Sequence, residues 1–349
     1  MLKNRIFEND FKQSESTMST GQSNINILLV DDEPLVLQSL SATFRRQYNI
    51  FTATNGKDAI EIVRQNQIHV VLSDQRMPGM LGHEVLRIIK TISPATIRIL
   101  LTGYSDLDAI MNSVNSGEVF RYLTKPWKVD QLRETVSAAA EIAMKVSQVY
   151  PDRADIMKNK ANVPIEEIAE EEPPPPIPAE QQGYLLIVEF NREQLNTMIK
   201  VFEKKYKVLP AGSIQEAFEV LSKNPVAVMV TDLNLNSEDG MDFLYAVKQE
   251  YPDIVTILLT QVRDALLAIK SINEFQVFRY HVKPCSVEDL DKTIQAAFER
   301  ARTYKTQPSR NIHAIAQQVT PKIIEQQATE KGNWWRDKLR AAKKLFGVG

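Results

Sequence analysis

Cysteine is almost absent from this sequence, and Cys285 alone cannot form a disulfide within the chain. A lone cysteine fits a reducing compartment, so we expect a cytoplasmic protein. No apolar run approaches the ~18 residues that a membrane span requires, and residues 1–24 lack the apolar core of a signal peptide. A formal net charge of -2 gives no global reason to expect nucleic-acid binding.

Signatures of several enzyme classes and of DNA-binding proteins are also missing. The chain has only 4 histidines, no HExxH motif, no GxxxxGKS or GxxxxGKT loop and no helix-turn-helix pattern. We therefore expect no enzymatic output domain and no nucleic-acid partner.

Composition divides the chain into five parts. Residues 1–24 are polar and predicted to be disordered. Residues 149–183 combine acids with a proline run, which favours an extended spacer, and residues 305–349 form a polar tail. Between these segments lie two blocks with the composition of ordinary cores, residues 25–148 (the first domain) and residues 184–304 (the second domain).

Both domains alternate short apolar runs with amphipathic stretches of helical length. In the first domain the predicted strands are 25–30, 49–53, 68–73, 97–101 and 120–124, and the predicted helices are 34–46, 56–65, 82–91, 106–116 and 129–148. The second domain repeats the pattern. Five strand–helix units predict an α/β fold with a doubly wound, parallel five-stranded sheet, whose chemistry lies at the carboxyl ends of the strands.

The two domains form an internal repeat with an offset of 158 residues, because VFRYLTKPW at 119–127 recurs as VFRYHVKPC at 277–285. The same offset pairs polar residues at predicted strand ends: Asp31 with Glu189, Asp74 with Asp232, Thr102 with Thr260, Tyr122 with Tyr280, and Lys125 with Lys283. The carboxyl ends of parallel strands meet at one edge of a sheet, so these side chains are predicted to converge on a site.

Carboxylates crowd this edge of the first domain. Asp31, Asp32 and Asp74 repel one another, and a hard cation such as Mg2+ relieves that repulsion through oxygen ligands. Lys125 and Thr102 could complete a cage for phosphoryl oxygens, with a carboxylate as acceptor of the phosphoryl group. Taken singly, each residue has an ordinary structural explanation, such as a helix cap or a surface turn. Together they predict a phosphoacceptor site.

Four motifs of the first domain resemble the receiver domains of bacterial two-component response regulators. These motifs are ILLVDDEP (27–34), VVLSDQRMPGMLG (70–82), ILLTGYSD (99–106) and VFRYLTKPW (119–127). The likeness covers residues 25–148 and again residues 184–304. It implies two flavodoxin-like (βα)5 folds and a phosphoryl-accepting aspartate that works with Mg2+.

The resemblance also implies a role for each acidic residue of the first site. Asp74 would be the phosphoacceptor and, together with Asp32, a direct ligand of Mg2+. Asp31 would order a metal-bound water, and the backbone carbonyl of Arg76 would supply a further ligand.

The remaining residues would bind and report the phosphoryl group. By resemblance, Lys125 pairs with it and Thr102 hydrogen-bonds it. Tyr122 is the switch aromatic, whose rotamer follows Thr102 and changes the surface formed by the fourth helix, fifth strand and fifth helix. That surface commonly pairs receivers, so a receiver-mediated homodimer is one expected assembly. Two large side chains beside the path of the attacking water, Arg76 and Tyr104, predict slow hydrolysis of the phosphoryl group.

The second domain departs from this pattern, and we expect it to be a degenerate receiver. Phe190 stands where the first domain has its second acidic residue and cannot bind Mg2+. Gln261 would crowd the entrance to the site, and the MPG turn after the acceptor becomes LNS. Asp232, Thr260 and Lys283 remain, and Asp232 with Lys283 could form a buried ion pair without any phosphate.

The tail is predicted to end in an amphipathic helix over residues 333–346, with one apolar and one basic face. Contact through residues 334–346 could be with an anionic membrane surface or with a partner's groove. The protein would then be peripheral at the inner membrane surface or bound to that partner. The third alternative is a helix that packs on its own domains.

We expect a two-receiver signalling protein whose only chemistry is the Mg2+-dependent gain and loss of its own phosphoryl group. A sensor histidine kinase or a histidine phosphotransfer protein would phosphorylate Asp74, and an unidentified downstream protein would bind the altered chain. Two alternatives stay open. One is a transcription regulator with an unrecognised DNA-binding element in residues 305–349, and the other is a phosphate sink that binds nothing downstream.

Overall fold

The structure is a computed structural model, and it describes residues 24–103, 119–149, 183–235, 238–308, 311–312, 314–315, 333–334 and 336–341. The polar lead-in, the predicted helix at 106–116, the acidic spacer and much of the tail lie outside these residues. Within the described part, no helix is both long enough and apolar enough to cross a bilayer.

The first domain is built on five parallel strands in the order β2-β1-β3-β4-β5. Its strands are β1 (Asn26–Val30), β2 (Asn49–Ala53), β3 (Val70–Asp74), β4 (Ile97–Gly103) and β5 (Arg121–Lys125), and its described helices are α1 (Pro34–Phe44), α2 (Gly56–Gln65), α3 (Gly82–Ile92) and α4 (Val129–Val149). β3 is buried along its whole length and β4 as far as Thr102, because helices cover both faces of a parallel sheet.

Local sequence explains where two of these helices begin. Pro34 opens α1, where its fixed φ fits the first turn and its missing N–H costs nothing. Asn55 caps α2 by accepting a hydrogen bond from the Asp58 backbone N–H. Both helices start just beyond a strand, so they hold the carboxyl edge of the sheet in place.

The second domain repeats this architecture, with the strand order β12-β11-β8-β6-β7. Its strands are β6 (Tyr184–Val188), β7 (Val208–Ala211), β8 (Val226–Thr231), β11 (Val255–Thr260) and β12 (Arg279–Val282), and its helices are α5 (Arg192–Phe202), α6 (Ile214–Lys223), α7 (Gly240–Glu250), α8 (Ala265–Phe275) and α9 (Val287–Thr306). A small antiparallel hairpin, β9 (Asn234–Leu235) and β10 (Glu238–Asp239), replaces the MPG turn of the first domain. The predicted doubly wound α/β fold is confirmed for both sheets.

Four strands of the first domain differ from the prediction by up to two residues: β1 begins one residue later, β4 extends two residues further to Gly103, and two others are displaced. The strand predicted at 68–73 runs from Val70 to Asp74, and the one predicted at 120–124 runs from Arg121 to Lys125. The difference arises because Asp74 and Lys125 still pair with β4, opposite Leu101 and Gly103. Both polar residues therefore end a strand instead of following one.

The described part of the C-terminal helix packs on the second domain. Leu339 is fully buried in the same cluster as Leu244 of α7, and Arg340 Nη2 lies 2.8 Å from Glu250 Oε1. Lys338 Nζ lies 3.9 Å from the centroid of the Trp334 ring. For residues 336–341 this placement corresponds to the third alternative, packing on the chain's own domains.

Candidate functional site

Four strands of the first domain bring the predicted polar residues to one edge of the sheet. Asp31 follows β1 directly, Asp74 ends β3, and Lys125 ends β5. Thr102 is the next-to-last residue of β4 and is fully buried. The parallel arrangement thus places an acid, a second acid, a hydroxyl and an ammonium on neighbouring strand ends.

The ammonium of Lys125 lies between two carboxylates. Lys125 Nζ is 2.6 Å from Asp74 Oδ1 and 3.2 Å from Asp31 Oδ2. The second oxygen of each carboxylate accepts a backbone hydrogen bond of 2.9 Å, from Glu33 N to Asp31 and from Arg76 N to Asp74. These backbone hydrogen bonds hold both carboxylates in place. The ammonium of Lys125 therefore has to reach them.

Burial and charge act against each other at this site. Burial raises the pKa of Asp74 above its ordinary value, in spite of the hydrogen bond and the charge of Lys125, and the charge of Asp31 adds to the rise. For Lys125, burial acts to lower the pKa, but the hydrogen bonds and charges of Asp74 and Asp31 outweigh it and raise the pKa. The ammonium is therefore held in its charged form.

Other predicted residues of the first site lie around this ion cluster. Thr102 Oγ1 donates to Gly103 O at 3.4 Å, and Asp32 is half-buried. The Arg76 side chain is exposed, and Tyr122 is only 2% exposed. Tyr104 lies outside the described residues, so the slow hydrolysis expected from it and Arg76 stays a prediction.

The donor atoms at this edge of the sheet decide which metal ion it could bind. Among the residues that the structure describes, no three side chains of Asp, Glu, His or Cys lie close enough together to hold a metal. Asp31 and Asp74 instead share the cation of Lys125, which takes the central position between them. Carboxylate oxygens are the ligand type that Mg2+ prefers, so the acidic residues of this edge fit the ion.

Gly82, at the start of α3, is a residue of this site that the sequence reasoning did not single out. A Cβ atom at this position would lie 1.9 Å from the backbone oxygen of Asp74. Only glycine allows α3 to begin so close to Asp74. The signal was available, because Gly240 lies 158 residues later and there a Cβ would lie 2.4 Å from the oxygen of Leu233.

The second domain carries a complete ion cluster of its own. Lys283 Nζ lies 2.6 Å from Glu189 Oε2 and 2.8 Å from Asp232 Oδ2, and it donates to Gln194 Oε1 at 3.2 Å. The ion pair expected between Asp232 and Lys283 is present, and two further groups join it. Phe190 packs half-buried against the core instead of lying among polar groups.

The tyrosine and threonine of the second site are linked through one loop residue. Tyr280 is fully buried, and its hydroxyl donates to Val262 O at 2.7 Å. The backbone N–H of Val262 donates to Thr260 Oγ1 at 3.3 Å. Tyr280 is therefore held within its own domain by its hydroxyl.

Comparisons with known proteins agree with this geometry. A family model described as "Response regulator receiver domain" matches residues 27–137 and 185–295. The sporulation initiation phosphotransferase F of Bacillus subtilis is 35% identical over 114 residues, which cover 32% of this chain and 91% of that protein.

Larger proteins and solved structures contain similar segments. The hydrogenase transcriptional regulatory protein HoxA of Bradyrhizobium diazoefficiens is 34% identical over 116 residues, 33% of this chain. The match spans only 24% of that regulator's length. The signal receiver domain of an HD domain-containing protein from Pseudomonas fluorescens Pf-5 is 34% identical over 35% of this chain and 98% of that chain, with a TM-score of 0.34. Since the family model matches more than half of the sequence, once in each domain, the chain belongs to the response regulator receiver domain family and carries two receiver domains in tandem.

Proposed function

We propose that this chain is a response regulator that accepts a phosphoryl group on Asp74 and signals by changing its protein contacts, without an enzymatic output domain. The observation that carries the proposal is the setting of Asp74. Its Oδ1 lies 2.6 Å from Lys125 Nζ, and Thr102 is buried on the neighbouring strand. The phosphoryl donor would be a sensor histidine kinase or a histidine phosphotransfer protein.

The chemistry that this setting supports is attack of a carboxylate on phosphorus. An oxygen of Asp74 forms a P–O bond while the P–N bond of a phosphohistidine breaks, and the leaving imidazole keeps the electron pair and takes up a proton. Lys125 offsets negative charge on the phosphoryl oxygens, and Thr102 offers a hydroxyl hydrogen bond.

Mg2+ would be held by the acidic residues of the same edge. The proposed direct ligands are Asp32, Asp74 and the backbone carbonyl of Arg76, and Asp31 would order a metal-bound water. When bound, the ion supplies positive charge that lets crowded carboxylates and a phosphoryl group share one site.

The proposed output is a change in binding to another protein. Residues 336–341 of the tail pack on the second domain, and the receiver surfaces are the proposed sites of signalling. Gel shifts that weaken steeply with salt would favour the transcription-regulator alternative instead.

Phosphorylation by acetyl phosphate and Mg2+, followed on Phos-tag gels and by mass spectrometry, tests the proposal. We expect the wild type and the matched control Asp232→Ala to take up one phosphoryl group, and Asp74→Ala to take up none. Uptake by Asp74→Ala at the wild-type level would refute the assignment of Asp74. It would also reject a silent second domain if the phosphate were found on Asp232.

A further inference from the structure

The outer edge of β5 is covered by a side chain of the second domain. β5 is the last strand of its sheet, so the backbone groups that point away from β4 need other partners. Asn273 of α8 supplies both for Tyr122. Tyr122 N donates to Asn273 Oδ1 at 2.9 Å, and Asn273 Nδ2 donates to Tyr122 O at 2.8 Å. One amide therefore satisfies two backbone groups of the residue predicted to be the switch aromatic.

Apolar packing surrounds these two hydrogen bonds. Val119 and Tyr122 of the first domain belong to the same continuous buried cluster as Ile269 and Ile272 of α8. Tyr122 is only 2% exposed in this arrangement. Both hydrogen bonds are partly buried, so losing one partner leaves a polar group that water reaches only in part.

One pair of opposite charges and one pair of like charges meet at this boundary. Burial lowers the pKa of Arg121 to about 10 and raises that of Glu274, and the attraction between the two groups opposes both shifts. Burial and the charge of Arg300 in α9 lower the pKa of Arg98 in β4 to about 9. The boundary thus combines an attraction of Arg121 to Glu274 of α8 with a repulsion between Arg98 and Arg300.

The same strand connects this boundary to the phosphorylation site. Lys125, three residues beyond Tyr122, ends β5 and pairs with Asp74 and Asp31. A phosphoryl group on Asp74 would replace the single charge of the carboxylate with up to about two negative charges on three acceptor oxygens, which the ammonium would follow. A displaced β5 would strain the Asn273 hydrogen bonds, since such bonds weaken beyond about 3.2 Å.

We propose that the second receiver is the intramolecular partner of the first, so that α8 docks on β5 while Asp74 is unmodified and is released when Asp74 is phosphorylated. This proposal rests on the function proposed above for Asp74. It gives the degenerate domain a task that requires no phosphate of its own. The domain masks the β5 edge, and release opens that edge to a downstream protein.

Coupling between two sites is reciprocal. If docking opposes phosphorylation, weaker docking must increase the affinity of the first site for a phosphoryl mimic. Asn273→Ala removes both hydrogen bonds to Tyr122. Asn196→Ala, at an exposed position of α5, is the matched control.

Hydrogen-exchange mass spectrometry on the full chain measures the docking. Beryllofluoride with Mg2+ serves as the phosphoryl mimic, and 19F NMR measures its binding. In the wild type we expect the mimic to accelerate exchange in peptides covering 119–125 and 265–275 by about tenfold. Asn273→Ala should exchange fast with or without the mimic and bind it about five- to tenfold more tightly. Asn196→Ala should behave as the wild type.

A failure of the docking proposal can be told apart from a failure of the function proposed for Asp74. Unchanged or slower exchange in a wild-type chain that binds beryllofluoride would overturn the docking proposal and leave the function proposed for Asp74 standing. A wild-type chain that does not bind beryllofluoride would overturn both. Should Asn273→Ala fail to fold, the wild-type exchange rates decide alone.

Discussion

Replacing Lys283 with methionine keeps most of the side-chain length but removes the charge that two buried carboxylates share. Glu189 Oε2 and Asp232 Oδ2 both lie within 2.8 Å of Lys283 Nζ, and the side chains are 10%, 8% and 16% exposed, respectively. Without the ammonium, the two negative charges face each other across the space that it occupied.

The size of the effect follows from this geometry. At an effective dielectric constant of about 20, two unit charges about 5 Å apart repel each other by about 3 kcal/mol. Removing one partner from a buried ion pair costs a similar amount, about 3–5 kcal/mol. We therefore expect Lys283→Met to lower the free energy of unfolding by about 3 kcal/mol near pH 7.

The matched variant in the first domain is Lys125→Met. The Lys125 side chain is 30% exposed, against 16% for Lys283, so water screens its carboxylates better. We expect a smaller loss, about 1–2 kcal/mol. Urea denaturation followed by circular dichroism measures both variants. Equal losses, or a loss below about 1 kcal/mol for Lys283→Met, would refute the reasoning.

The pH dependence offers a second check on Lys283→Met. In the variant, a proton bound by one of the two carboxylates removes their mutual repulsion. The destabilisation is therefore largest while both carboxylates are charged and shrinks as the pH falls and one of them binds a proton. A deficit that stays constant or grows between pH 7 and pH 5 would contradict the assignment to paired carboxylates.

Two further predictions concern burial elsewhere. Gly82→Ala places a methyl group against the backbone oxygen of Asp74. We expect the free energy of unfolding, measured by urea denaturation, to fall by about 3 kcal/mol and labelling by acetyl phosphate to be weaker. Wild-type values for both would refute the close approach. Burial lowers the pKa of Lys248 to about 7, so the unfolded chain holds one more proton than the folded chain between that pH and about 10. In this window the free energy of unfolding of the wild type should therefore rise with pH more steeply than that of Lys248→Met, by about 1 kcal/mol per pH unit. Equal slopes in the two proteins would contradict the burial of Lys248.

The repeat in the sequence was enough to predict most of the first site. An offset of 158 residues aligned the polar residues with strand ends, and the structure gathers Asp31, Asp74 and Lys125 there. Strand limits were less accurate, because ladder pairing carries β3 through Asp74. The pattern of apolar residues shows where a strand is buried but does not show where its backbone hydrogen bonds end.

Contacts that depend on docking or on replaced loops were not predictable in the same way. Asn273 has an ordinary helical context, and its role follows only from the approach of α8 to β5. Gln194 joins the second ion cluster because α5 begins beside it. The β9–β10 hairpin arises where LNS replaced MPG, a substitution that predicted a different loop but not its shape.

The tail shows the same limit. Its amphipathic pattern predicted a helix but left three surfaces on which the apolar face could rest. Burial of Leu339 and the ion pair of Arg340 with Glu250 place residues 336–341 on the second domain. The sequence shows which face of a helix is apolar. Only tertiary contacts show which surface covers that face.

An edge strand whose backbone groups bond to an amide side chain behaves differently from a strand that pairs with a neighbouring strand. In the proposed mechanism, two hydrogen bonds, each with a net contribution of about 1 kcal/mol, would form a latch that opens when Asp74 gains a phosphoryl group and closes when it loses that group. A full ladder of backbone hydrogen bonds between two strands would resist repeated opening and closing. The unlatched state would also carry a hazard, because a bare strand edge is a template for aggregation. A chain built in this way would gain from keeping its open periods brief.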